Sequence, residues 1–153
     1  MNRRTLLKRT LAVSALSVAA SAGLLIPGQA LAAYPSKAFA EKTVDSALSS
    51  LMGSSSVEDS ADVKIKAPDI AENGSVVPVT VSTSLANVES ITIVAEGNGT
   101  PLVGSFNLSG AEGYISTRIK MGKTGNVLAV VKSGGKMYAG RKEVKVTIGG
   151  CGG

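Results

Sequence analysis

From Asp59 onward the chain is a succession of short β-prone segments separated by Gly, Asn, Pro and Ser, and this punctuation constrains the fold more than any other feature. Val63 to Ala67 alternates apolar and charged side chains, and Val76 to Ser82 alternates around Val77, Val79 and Val81, as expected of strands with one face packed inward. Further strands are expected over Glu89 to Ala95, Leu102 to Leu108, Tyr114 to Met121, Asn126 to Lys132 and Lys136 to Ile148. Asn73-Gly74, Gly97-Asn98-Gly99, Gly110, Gly122 to Gly125 and Gly134-Gly135 fit the surface turns between them. About seven strands at this spacing predict a mainly β fold, a small β-sandwich.

Two local signals refine that picture. Pro78 interrupts the backbone hydrogen-bond row, which predicts an edge strand or a bulge. Ahead of the strands, Val44, Ala47, Leu48 and Leu51 recur at helical spacing, predicting one N-terminal helix over Lys37 to Leu51 that closes an edge or end of the sandwich. Gly53 and the serines after it are the expected stop.

The first 32 residues have a different character. Arg3-Arg4, an apolar run from Leu11 to Ile26 and Ala30-Leu31-Ala32 at a cleavage boundary have the pattern of a cleavable twin-arginine-type signal peptide. Pro27-Gly28 breaks the apolar run, which is too short and too rich in small residues for a spanning helix, so stable membrane insertion is not expected. Removing residues 1–32 leaves 121 of the 153 residues, enough for one hydrophobic core. The predicted organisation is therefore a signal at 1–32, a helix-plus-sandwich domain at 33–148 and a terminal arm at 149–153.

Signal removal also changes the meaning of the charge. The whole chain carries +5, but residues 33–153 hold 12 Lys and Arg against 11 Asp and Glu, a net +1 that argues against nucleic-acid binding. The remaining charge is polarised: residues 33–112 hold four basic and ten acidic residues, and 113–153 hold eight basic and one acidic. Lys132, Lys136, Arg141, Lys142 and Lys145 could assist an anion or a thiolate if the fold brings them to the terminus.

The chain has one cysteine and no histidine, which excludes an internal disulfide framework, a Cys–His catalytic pair and a cysteine-rich metal cluster. That cysteine stands in Gly149-Gly150-Cys151-Gly152-Gly153, just past the last expected strand, where Val144, Val146 and Ile148 face inward and Glu143, Lys145 and Thr147 outward. Flanking glycines remove steric protection from the sulfur and let the backbone pass close to another surface. A thiol so placed suits a flexible arm that presents a covalently bound group, and Cys151 is the candidate attachment residue, with Gly149, Gly150, Gly152 and Gly153 providing access.

The signal, the helix from Lys37, the segment Ala71-Glu72-Asn73-Gly74-Ser75-Val76-Val77-Pro78-Val79 and the terminal Gly-Gly-Cys-Gly-Gly together resemble the SoxY family of thiosulfate-oxidation carriers. The resemblance implies a periplasmic Ig-like β-sandwich without intrinsic cofactor or catalytic residues, carrying sulfur intermediates covalently on Cys151. It also implies a SoxZ-like β-sandwich subunit as partner. The enzymes it implies are a haem-containing SoxAX-type enzyme that loads thiosulfate, a SoxB-type hydrolase that releases sulfate and a SoxCD-type sulfur dehydrogenase. Haem and metals would belong to those enzymes.

Other classes fit parts of the same pattern. An exported β-sandwich interaction module would use Cys151 for an intermolecular disulfide, and a different kind of carrier would activate the terminal Gly152-Gly153 carboxylate. An independent thiol enzyme fits poorly, because a tail without histidine does not hold reacting atoms in one geometry.

Overall fold

The computed structural model describes residues 34–147. The expected signal at 1–32, Ile148 and the Gly149 to Gly153 arm lie outside the described residues. Two helices open the described chain, α1 over Ser36–Ala40 and α2 over Val44–Met52, where the periodicity predicts one. The break is at Thr43, whose backbone is extended and whose hydroxyl accepts the Ser46 N–H at 3.2 Å. The Ser46 hydroxyl donates back to the Thr43 carbonyl at 3.1 Å, so an N-cap restarts the helix inside the predicted run. Gly53 ends α2 as expected, with φ of +79° and its N–H on the Ser49 carbonyl.

Nine strands follow among the described residues: β1 Glu58–Asp59, β2 Val63–Lys66, β3 Ile70–Ala71, β4 Val77–Thr83, β5 Val88–Ala95, β6 Leu102–Asn107, β7 Tyr114–Ile119, β8 Gly125–Ser133 and β9 Lys136–Val146. Seven of them match the expected segments. The additional pair, β1 and β3, are two residues long, too short for any alternation, and both run parallel to β9. One sheet has the order β1-β9-β8-β5-β6 with β3 also on β9; the other has the order β2-β4-β7. The sheets face one another as the Ig-like β-sandwich that the sequence predicts.

The alternation in β4 is obeyed, since Val77, Val79 and Val81 are fully buried. They meet Ile91, Ile93 and Ala95 of β5 and Val127, Ala129 and Val131 of β8 in the core between the sheets. Burying each such side chain contributes about 1.5–3 kcal/mol. The edge placement expected from Pro78 needs correction, because β4 is the middle strand of its sheet. Its pairing with β2 runs only from Thr80 to Thr83, so Pro78 pairs with β7 alone, opposite Arg118. The proline is tolerated where the central strand is locally an edge.

The helices also sit differently from expectation. They cover the outer face of the larger sheet, where Ala38, Ala47 and Leu48 form a second buried cluster with Val94, Leu102, Leu128, Val130 and Ala139. Strands β5 and β8 are consequently buried on both faces, which explains why Val127 to Val131 is apolar throughout and Ile91 to Ala95 apolar at all but one position. Thr92, the polar exception in the first run, is satisfied by the Ser105 hydroxyl at 2.9 Å.

Candidate functional site

The site to be built is the root of the terminal arm, where β9 delivers the chain toward Cys151. Val144 is buried in the inter-sheet core and Val146 packs against it, while Glu143, Lys145 and Thr147 face outward, as the alternation predicts. Short β3 lies alongside, pairing Ile70 with Lys145 and Ala71 with Val146. Its backbone carbonyls continue the grip to the last described residue, with Asp69 accepting the Lys145 N–H at 2.9 Å and Ala71 the Thr147 N–H at 3.1 Å.

A second contact holds the same strand end. The Thr124 hydroxyl oxygen accepts the Val146 N–H at 2.9 Å, tying the β7–β8 turn to β9. Gly74, in the turn before β4, completes the root: a Cβ there would lie 2.4 Å from the Met121 carbonyl oxygen and 2.8 Å from Val146. Only glycine permits that approach. Backbone support thus reaches Thr147, and Cys151 follows four residues later, within roughly 14 Å of full extension.

The five basic residues singled out on β8 and β9 are spread along the hairpin. Lys132 and Lys136 flank the β8–β9 turn at the far end of the hairpin. Ten residues of extended strand, roughly 33 Å, separate Lys136 from Val146, well beyond a Debye length. Lys132 is paired with Glu89 at 2.9 Å, Arg141 with Asp59, and Lys142 with Asp69 at 2.7 Å. Of the five, Lys132, Arg141 and Lys142 are engaged by carboxylates, Lys136 lies at the far end of the hairpin, and Lys145 stands beside β3 at the strand end that leads to the arm. Strand spacing carries charges along a rod, and sequence proximity on β9 is not proximity to its tip.

These pairings perturb two of the acids. The Asp69 carboxyl is held below its ordinary range, first by the hydrogen bond from Lys142 and then by its charge. Glu89 is also lowered, by the Lys132 hydrogen bond and then by the Gly135 N–H. Both groups stabilise strand termini and turns and do not form a catalytic pair. Among the described residues, no group of three His, Cys, Asp or Glu side chains could hold a metal. No helix among them is long and apolar enough to cross a membrane.

Sequence reasoning missed Asp69, β3 and Thr124 as parts of the arm root. A two-residue strand has no periodicity to detect, although Thr124 is conspicuous as the one hydroxyl residue between Gly122 and Gly125. Val77, Val79, Ile91 and Ile93 are core, whereas the neighbouring Val76 is half exposed.

Comparison with known proteins bears on the whole of this architecture. Residues 48–151 match the family described as Sulfur oxidation protein SoxY, a span that ends on Cys151. The fold superposes on the sulfur carrier protein SoxY from Chlorobium limicola f thiosulfatophilum with a TM-score of 0.63 and 42% identity, over 72% of this chain and 96% of that one. A BSP domain of a biofilm associated protein aligns at 18% identity and a TM-score of 0.38, over 65% of this chain and 17% of that one, which carries no argument. Among curated proteins none matches. A family match over more than half of the chain, together with a 42% identical structure of the same fold, shows that this chain belongs to the SoxY family of sulfur oxidation proteins.

Proposed function

We propose that the protein is a non-catalytic periplasmic carrier of thiosulfate-derived sulfur, with Cys151 as the covalent attachment residue. The observation that carries the reading is the family match ending on Cys151, four residues after the point where β3 and Thr124 grip the last strand. Residues 1–32 are the export signal, residues 33–148 the carrier domain and residues 149–153 the arm. Gly149, Gly150, Gly152 and Gly153 put no side chain beside the sulfur, so that an adduct can enter the cleft of a separate enzyme.

The chemistry follows from the thiol. Loading oxidises the Cys151 sulfur and the sulfane sulfur of thiosulfate to a disulfide-type bond, and two electrons leave to a haem-containing SoxAX-type enzyme. The adduct keeps a terminal sulfonate, from which a SoxB-type hydrolase releases sulfate by adding water. A SoxCD-type dehydrogenase oxidises the sulfur that remains, and a SoxZ-like subunit accompanies the carrier. An arm of roughly 14 Å does not span from one enzyme to another, so the whole domain docks anew at each step.

Incubating the processed protein and its SoxZ-like partner with the haem enzyme and thiosulfate tests this directly. Intact mass should show a reductant-sensitive thiosulfonate adduct, mapped to the C-terminal peptide, and Cys151→Ser should remain unloaded. A persistent disulfide to another polypeptide, with no substrate-dependent mass, would favour the interaction-module reading instead.

A further inference from the structure

Three lysines that the sequence scatters come together near the arm root. Lys42, from the break between α1 and α2, Lys120, from the end of β7, and Lys123, from the β7–β8 turn, line one open cleft of about 470 Å³ with the Gly97 to Thr100 turn. Among the described residues none of the three is ion-paired, in contrast to Lys132, Arg141 and Lys142, and no described carboxylate lines the cleft. The acids adjacent in sequence are engaged elsewhere, Glu41 by the Ser50 hydroxyl at 3.2 Å and Glu96 by the Asn126 amide at 2.9 Å.

The floor of the cleft is held in place. The Asn98 side chain donates to the Lys120 carbonyl and accepts the Gly122 N–H, both at 2.8 Å, clamping one turn to the other. A Cβ on Gly125 would lie 2.9 Å from the Gly97 nitrogen, so the two turns are packed backbone to backbone. The cleft also adjoins the arm: Lys123 precedes Thr124, whose hydroxyl holds Val146. Cys151, within roughly 14 Å of Thr147, can bring an attached group there.

We propose that this cleft is a docking site for a sulfur oxyanion, and that its occupant is the terminal sulfonate of the group carried on Cys151. The proposal rests on the reading of Cys151 as the attachment residue. A sulfonate matches a concave site with three ammonium groups and no carboxylate among its described lining residues, and loading adds that charge at the Cys151 sulfur itself. The cleft therefore distinguishes the loaded from the empty carrier, holding cargo against the domain between enzyme visits. Three exposed pairs of this kind raise the docked population about fivefold.

The test loads the processed chain without any partner enzyme, so it stands apart from the pathway. Tetrathionate serves as the oxidant: the Cys151 thiolate attacks a central sulfur, a new S–S bond forms, the central S–S bond of tetrathionate breaks and thiosulfate leaves with the electron pair. Intact mass verifies loading. Amide resonances of Gly97, Gly99, Gly122 and Lys123 should shift on loading and return on reduction. The shifts should shrink about threefold in Lys120→Gln/Lys123→Gln, which leaves Lys42 in place, and collapse at 1 M salt. Unchanged resonances in a fully loaded chain, or shifts indifferent to the lysine substitutions, would overturn the site while leaving the attachment reading intact. Shifts produced by free thiosulfate on Cys151→Ser, but not by loading, would overturn the tethered occupant.

Discussion

Asp69 does two jobs at the arm root: its backbone carbonyl accepts the Lys145 N–H, and its side chain holds Lys142. Because its folded-state pKa is lowered, the ion pair contributes stability at pH above the ordinary carboxylate range and loses it as pH falls through the lowered value. The carboxyl is solvent-exposed, so the effect on global stability is small. NMR titration should place Asp69 below an ordinary aspartate, and Lys142→Met should return it to the ordinary range. An unshifted Asp69 in the unsubstituted protein would remove the pair from the description. This contact was not legible in the sequence, where nothing marks Asp69 apart from the other nine acids of residues 33–112. Cys151 is the opposite case, legible at once because its four neighbours have no side chains.

At the scale of elements, what could be read was what alternates. Val77, Val79 and Val81 announced β4, the same period marked β2 and β9, and turn residues bounded the other four long strands. Burial on both faces hid the helix layer, since the segments Ile91 to Ala95, apolar but for Thr92, and Val127 to Val131 do not say what lies outside them. The helix break lies outside the periodicity: Val44, Ala47, Leu48 and Leu51 all lie beyond Thr43 on α2, so the pattern carried no information about Lys37 to Thr43. Thr43→Ala removes the hydroxyl that caps Ser46 and should cost about 1 kcal/mol, read as a lower denaturant midpoint with unchanged slope. The arm root should be unaffected, because α2 packs on the opposite face of the larger sheet from the inter-sheet core. Loss of Cys151 loading in that variant would contradict the separation of the two.

For the molecule as a whole, the described parts that bear on function are brought together from distant stretches of the chain. The described residues supply a sandwich that grips β9 to Thr147 and a cleft of three lysines beside that grip. Among those residues no group of three His, Cys, Asp or Glu side chains could hold a metal. The lysine cleft was beyond sequence reading because Lys42 lies far upstream of Lys120 and Lys123, whereas the basic residues that cluster in sequence are drawn out along β9. Charge on a β-protein has to be located across turns before it can be assigned to a site.

The most direct test of the central claim is thiosulfate turnover by the reconstituted pathway, using carrier whose Cys151 has been permanently alkylated and whose fold is checked by its denaturation profile. The account predicts turnover lost in proportion to the alkylated fraction and restored by fresh carrier. Undiminished turnover with fully alkylated carrier would contradict it.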